Sequence, residues 1–310
     1  MHVSSWCCVL LLGGAAAAQA EIRAAKDPGR IVVAEVGFAT PECVLHEPAH
    51  DVYLVSNVHG SPFAKDDNGF ISRVKPDGRV EALKWIDGAA ADVTLHAPKG
   101  MVLLGDLLVV TDIDTVRFFA RDTGRPAGEI VVPGATFLNG IAASPHGGVI
   151  VTDSGFKPAK DGFGASGSDA IWSVEWRGKP ERIATRPKVA RPNGVVETAY
   201  GIYLVTWETG ELQSLIDEDL RTLARLPKAQ LDGLVNQRDG SWLVSSWEGR
   251  CVYRVAGDRD ADGKPTTRVA VVASDLESPA AIGVDTRRNR LLVPLFTRDA
   301  VVITPLPAAR

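Results

Sequence analysis

Six short segments of this chain can be laid over one another without a gap. They are YLVSN (53–57), LVVTD (108–112), VIVTD (149–153), YLVTW (203–207), WLVSS (242–246) and LLVPL (291–295). Each carries Val at its third place and Ser, Thr or Pro at its fourth. Twelve to fourteen residues before each fourth place stands the second residue of a dipeptide: Pro41-Glu42, Pro98-Lys99, Leu138-Asn139, Pro192-Asn193, Leu231-Asp232 and Pro279-Ala280. Successive dipeptides lie 39 to 57 residues apart. The units are therefore constant at their cores, and insertions fall in loops. A period of this size, built from short β-runs punctuated by Gly, Pro and Asp, is the mark of a propeller.

Each unit reads as four strands; in the third they are GIAAS, GVIVTD, AIWSVEW and ERIATR. Six such units make an all-β, six-bladed β-propeller. The run IVVAEV (31–36) precedes the first unit, and the last unit looks one strand short. The N-terminal strand is thus expected to complete the last blade, closing the ring and removing the edges an open sheet would expose. Helical periodicity is nearly absent. The stretch ELQSLIDEDLRTLA (211–224) passes for a helix, but fits two strands and a turn equally well. A closed barrel or a β-sandwich is the alternative, and neither explains six matched units.

The first 20 residues, MHVSSWCCVLLLGGAAAAQA, have the short apolar core and small closing residues of a secretory signal peptide. They are too few to span a membrane. The expectation is an exported chain, periplasmic or secreted, whose residues 21–310 form a single propeller domain. Cys7 and Cys8 leave with the signal; Cys43 and Cys251 fall on blades that are not neighbours and are expected unpaired. A net charge of −4 argues against nucleic acid or an anionic membrane as partner. Neither a GxSxG elbow nor the GxxxxGK[ST] P-loop occurs, so a serine hydrolase or NTPase has little support.

In a propeller the first strand of each blade lies nearest the axis, so the second residues of the six dipeptides share one ring: Glu42, Lys99, Asn139, Asn193, Asp232 and Ala280. Singly, each reads as a turn or a solvated strand start. In register they bring two carboxylates and two amides together. Such carboxylates repel unless protonated or bridged by a cation. An all-oxygen set suits a hard cation, Ca²⁺ first, with Mg²⁺, Mn²⁺ or Zn²⁺ as other options. Gly100, Gly140, Gly194 and Gly233 follow four of the ring residues and let backbones approach closely.

The motifs PECVLHEP, FLNGIAASPHGG, RPNGVV and QLDGLV resemble the SMP-30/gluconolactonase family of regucalcin-like six-bladed propellers, and more distantly the paraoxonases. The resemblance covers roughly residues 35–305. It implies a divalent metal held by Glu42, Asn139, Asn193 and Asp232, and lactone hydrolysis in which Asp232 also relays a proton from water. Lys99 stands where the paraoxonase-like propellers carry His; this implies a second catalytic group, acting as base or substrate clamp, or else a cation that neutralises an inner carboxylate. Sugar-lactonase members commonly carry Arg two residues before the Asn, where this chain has Phe137. That departure implies a more apolar lactone or ester, or a site without enzymatic role.

The second strand of each blade runs back toward the mouth, so its end and the following loop should border the site. This nominates Asn57, His59, Asp112, Asp153, Trp207 and Trp247 beside Phe137 as substrate contacts, with Asp114, Glu208, Glu248 and Arg298 near them. Loop tips carry polar residues anyway, so part of this set is expected to be structural. The glycine-rich stretch SGFKPAKDGFGASGSD (154–169) reads as a lid. His46, His50 and His146 read as surface residues of the opposite face. Two functions follow: a metal-dependent hydrolase acting on a small-molecule lactone or ester, and a non-catalytic, metal-stabilised propeller that binds a metabolite or a protein. Oligomeric state is not indicated.

Overall fold

A computed structural model describes residues 22–24, 29–160, 162–185, 189–259, 262 and 264–308. The expected signal peptide, residues 1–20, lies outside them. Among the described residues there is no helix, and none long and apolar enough to cross a membrane.

The chain begins with β1 (Ile22–Ala24) and β2 (Ile31–Val33) and then builds blades in order. Blade 1 is β3 (Pro41–Glu47), β4 (Val52–Asn57), β5 (Phe70–Val74) and β6 (Val80–Asp87). Blade 2 is β7 (Pro98–Leu104), β8 (Leu107–Asp112), β9 (Thr115–Ala120) and β10 (Pro126–Val131). Blade 3 starts with β11 (Leu138–Ala143) and β12 (Val149–Asp153), is interrupted by the hairpin β13 (Phe156–Ala159) and β14 (Gly162–Ala165), and ends with β15 (Ala170–Val174) and β16 (Glu181–Thr185). Blade 4 is β17 (Pro192–Thr198), β18 (Gly201–Thr206), β19 (Glu211–Ile216) and β20 (Asp219–Arg225). Blade 5 is β21 (Leu231–Asn236), β22 (Trp242–Ser246), β23 (Cys251–Arg259) and β24 (Pro265–Ala273). Blade 6 holds β25 (Gly283–Asp285), β26 (Arg290–Leu295) and β27 (Ala300–Pro305).

All blades are antiparallel meanders, and the whole is a six-bladed propeller. Closure follows the expected route: β2 pairs with β27 through Ile31–Ile303 and Val33–Val301. The closing strand ends at Val33 rather than at residue 36, because Glu35 takes φ 58° and turns the chain away. A fifth strand, β1, is added outside it. The 211–224 stretch is two strands, β19 and β20.

Hydrophobic burial is divided among the seams between blades. One apolar cluster fills each of the six: Ile71 and Ile86 against Leu108 and Phe119, Phe118 against Val151 and Trp172, and so on to Val55 and Val74 against Leu292 and Ile303. The last of these seams joins the two chain ends, and polar contacts reinforce it. Tyr53 Oη donates to Asp285 Oδ2 at 2.7 Å, and Arg288 pairs with Asp51 at 2.6 Å. His46 belongs to this seam, 3.3 Å from Asp51 and edge-on to Tyr53. It is buried, not on the surface as expected, because its neighbours supply polar partners inside; His50 and His146 are exposed. Cys43 and Cys251 are buried free thiols.

The repeat has a physical cause in how the seams are stitched at the axis. In five blades the inner strand slips register just after its dipeptide, at Cys43, Met101, Ile141, Val195 and Leu234. A slip of this kind leaves ladder groups unpaired. The fourth-place hydroxyl restores them. Thr152 Oγ1 accepts from Gly140 N of its own blade at 2.9 Å and donates to Asn193 O of the next blade at 2.7 Å. Ser56 likewise joins Cys43 N to Lys99 O, and Ser245 joins Gly233 N to Ala280 O. Thr111 donates to Asn139 O at 2.7 Å. Thr206 departs from the pattern, bonding Thr209 and Glu211 of its own blade.

The same approach explains the glycines. A Cβ on Gly140 would stand 2.2 Å from Asn193 O, and one on Gly194 2.4 Å from Asp232 O. No side chain fits at such distances, so the blades meet at the axis only if these positions are Gly.

Candidate metal centre and aromatic cavity

Because each ring residue is the second of its inner strand, β3, β7, β11, β17 and β21 deliver Glu42, Lys99, Asn139, Asn193 and Asp232 to one cavity. All five side chains are buried, none more than 5% exposed. Ala280 is also buried but adds no donor. The cavity encloses about 40 Å³. On the other side of the ring the axis widens into a channel of about 660 Å³, lined by inner-strand residues such as Met101, Ile141, Val195 and Leu234. The larger space carries none of the ring side chains.

The two carboxylates are incompletely partnered. Asp232 Oδ2 accepts from the Trp247 indole Nε1 at 2.8 Å, whereas Asp232 Oδ1 and Glu42 Oε2 are buried with no hydrogen-bond partner. Burial, and then the Asp232 charge, push the Glu42 carboxyl well above the usual range, while Lys99 pulls it back. Burial likewise raises Asp232, against the hydrogen bonds of Trp247 and the neighbouring Asn193. Two bare oxygens on neighbouring buried carboxyls are costly without protonation or a cation between them.

The amides complete an oxygen set. Asn139 Nδ2 donates to Ser154 Oγ at 3.1 Å, and Ser154 Oγ donates to Pro192 O at 2.7 Å. This commits the nitrogen end of Asn139 and leaves its oxygen to the ring. Asn193 lines the cavity beside Asp232. The donors present, two carboxylates and two amide carbonyls, therefore fit a hard divalent cation. Among the described residues no three His, Cys, Asp or Glu side chains gather into a metal-holding group, and the ring itself brings two carboxylates with two amides.

Lys99 makes no carboxylate ion pair within 4.0 Å among the described residues. Its Nζ donates to Ala97 O at 3.1 Å and Pro62 O at 3.3 Å, and stands 4.3 Å from the centre of the Phe137 ring. Burial lowers its pKa, against the raising influence of Asp112 and Glu42. Lys99 and Phe137, the two residues at which the sequence departs from the lactonase motifs it resembles, are thus in contact as a cation–π pair.

Aromatic side chains form the walls. Phe137, Phe156, Phe163, Trp207, Trp247 and Phe296 line the cavity and touch in succession at ring separations of 5.1 to 6.0 Å. Phe156 and Phe163 come from the β13–β14 hairpin, so the stretch read as a lid carries a two-stranded flap in which Phe156–Ala159 pairs with Gly162–Ala165.

Of the nominated substrate contacts, Phe137, Trp207 and Trp247 line this cavity; Asn57, His59, Asp112 and Asp153 do not. The last group is turned to backbone. Asn57 Oδ1 accepts from Ala39 N, Asp112 from His96 N and Ala97 N, and Asp153 from Thr136 N and Phe137 N. Each holds the chain just ahead of a ring residue, which is the duty of the fifth place in the repeat. His59 is exposed and its Nδ1 lies 2.9 Å from Asn68 O. Asp114, Glu208, Glu248 and Arg298 lie in rim ion pairs with Lys65, Arg191, Lys228 and Glu277. Ser154, Phe156, Phe163 and Phe296 were not foreseen. Phe296 had a signal: it stands one residue past LLVPL, as Trp247 stands one past WLVSS.

No protein-family model and no curated protein matches this chain. Solved structures do match its fold. A gluconolactonase from Xanthomonas campestris, described as important in glucose secondary metabolism, is 17% identical, with 90% of each chain covered and a TM-score of 0.63. A streptogramin B lyase is 12% identical over 90% of this chain and 98% of its own, TM-score 0.59. Virginiamycin B lyase from Staphylococcus aureus is 12% identical over 90% and 99%, TM-score 0.58. At such identities these likenesses speak to the propeller.

Proposed function

We propose that this propeller is a divalent-metal-dependent hydrolase of a lactone or related ester, a member of the SMP-30/gluconolactonase group, exported and acting on a small molecule. One observation carries the proposal: Glu42 and Asp232 present bare, buried oxygens beside the Asn139 and Asn193 amides at the floor of a cavity. Such a set has no structural use in the stitching of the blades, which is done by backbone and fourth-place hydroxyls.

Glu42, Asn139, Asn193 and Asp232 would hold the cation, Ca²⁺ being the best match to their oxygens. When bound, it supplies Lewis acidity, polarising an ester carbonyl and acidifying a nearby water. The protein's own groups do the rest. Trp247 holds Asp232 through Oδ2, so that Oδ1 faces the cavity and takes the proton of the attacking water. Ser154 fixes the Asn139 amide. Lys99, anchored on two carbonyls and the Phe137 face, offers a cation toward the developing negative charge on the substrate oxygen. The aromatic walls exclude bulk water, which strengthens each of these interactions.

A second reading, a metal-stabilised propeller that only binds a metabolite or a protein, draws support from the full tethering of Lys99 and the small cavity. The test is proton release from a panel of aldono-, γ- and acyl-lactones, after chelation and with Ca²⁺, Mg²⁺, Mn²⁺ or Zn²⁺ restored. Turnover lost on chelation, rescued by one cation and absent from folded Asp232→Asn establishes the hydrolase. A melting temperature that responds to metal in a protein that hydrolyses none of the panel establishes the binding propeller.

A further inference from the structure

We propose that the site selects a lactone or ester bearing an apolar alkyl or aryl group, and rejects polyhydroxylated lactones. The inference rests on the hydrolase reading above and names its substrate class. Beyond the ring, the cavity is walled by Phe137, Phe156, Phe163, Trp207, Trp247 and Phe296, with Pro62 beside them. The polar groups of the ring are taken up. Under that reading the bare oxygens of Glu42 and Asp232 and the two Asn carbonyls hold the cation. Lys99 is bound to two carbonyls, Asn139 Nδ2 to Ser154, and the Trp247 indole of the wall to Asp232. A sugar lactone entering here would bring several hydroxyls and find one polar wall group for them, the Trp207 indole N–H. Every further hydroxyl gives up its hydrogen bonds to water without replacement. An alkyl or aryl group instead meets ring faces and edges already arranged to receive it.

The β13–β14 hairpin is the adjustable part of this wall. A cavity of about 40 Å³ holds a few waters, whereas ligand sites for drug-sized molecules begin near about 300 Å³. Phe163 is 43% exposed, on a hairpin attached to blade 3 at its ends and packed on Phe63, Phe137 and Phe156 through ring contacts. Swinging Phe163 outward enlarges the cavity without disturbing a blade, and its return covers the bound apolar group.

The experiment has two arms on the metal-loaded full chain. In the first, kcat/KM is measured for γ-lactones with progressively longer alkyl substituents and for glucono-δ-lactone. Each added methylene should raise kcat/KM about fourfold until the wall is filled, the equivalent of ~0.8 kcal/mol per buried CH₂. Glucono-δ-lactone should be at least about 100-fold poorer than the best of them. In the second arm, unreactive cyclic ethers carrying the same substituents are titrated against tryptophan fluorescence. They should quench the native protein with affinity rising along the series, quench Trp207→Phe less, and let Phe163→Ala accept the longest members.

Turnover of glucono-δ-lactone with no gain along the alkyl series would overturn the apolar class while leaving the hydrolase intact. Graded ether binding with no turnover of any lactone would remove the hydrolase and keep the apolar site. An absence of both graded binding and graded turnover would overturn the inference outright.

Discussion

Replacing Thr152 with Val tests the stitch that generates the repeat. The two side chains have nearly the same shape, so the substitution removes a hydroxyl and little else. Thr152 is 0% exposed, and its Oγ1 serves two backbone groups of different blades, Gly140 N at 2.9 Å and Asn193 O at 2.7 Å. Valine leaves a donor and an acceptor buried without that partner, each at a cost of about 1–3 kcal/mol. The sum, about 2–6 kcal/mol, is large against the usual stability of a domain. At ~2 °C per kcal/mol for a chain of this size, the melting temperature should fall by about 4–12 °C. Urea unfolding of native, Thr152→Val and Thr152→Ser proteins in chelator is the assay. Serine keeps the hydroxyl and should recover most of the loss. If Thr152→Val stays within about 0.5 kcal/mol of Thr152→Ser, the hydroxyl is not what joins the blades, and the physical account of the fourth place fails.

Three other outcomes follow from the same geometry. Gly140→Ala places a methyl 2.2 Å from Asn193 O and should cost about 3 kcal/mol or more, read as lost soluble yield or a collapsed melting temperature, whereas Gly257→Ala, with nothing within 4 Å, should be near neutral. Glu42→Gln should act with opposite signs: it raises the melting temperature in chelator by relieving a buried carboxylate pair, and it abolishes the rise produced by Ca²⁺. Glu47 is the acid-sensitive joint of the outer face. Burial alone would raise its pKa, but hydrogen bonds from Arg121, His50 and Ala49 outweigh it and hold the carboxyl at about 2. A depressed folded value means stability present above the ordinary range near 4.5 and lost as pH falls toward 2. The melting-temperature gap between native protein and Glu47→Gln should therefore be full at pH 6 and vanish near pH 2.

How much of this was legible from sequence depends on whether a feature recurs. The fourth-place Ser and Thr, the glycines after the ring and the dipeptides recur because every seam poses the same problem, and together they reveal the blades and the ring. Asn57, Asp112 and Asp153 recur as well, and their place at the mouth was read as substrate contact; in the structure they serve what the blades share, the chain entering each inner strand. Features built once were harder to read. The flap is an insertion in one blade: its glycines marked it as a lid but hid the two strands and the aromatic side chains they bring to the cavity. His46 is buried by the seam between the first and last blades, whose contact spans more than two hundred residues of sequence.

The ring shows why one scaffold can carry chemistry without losing its shape. At five of the six ring positions the backbone carbonyl is a seam acceptor: Glu42 O from Ala281 N, and Lys99, Asn139, Asn193 and Ala280 from fourth-place hydroxyls. The side chain has no part in that bond. Glu, Lys, Asn and Ala can therefore alternate there while the neighbours on either side, the Pro or Leu before and, after four of the six, Gly, are held by packing and close approach. The ring side chains left out of the seams face one another across a buried axis. Their charges must then be balanced among themselves or by something brought in from solvent, and two carboxylates with one tethered ammonium leave that balance short. The same backbone economy that closes the propeller thus sets up the electrostatic deficit that a bound cation would fill.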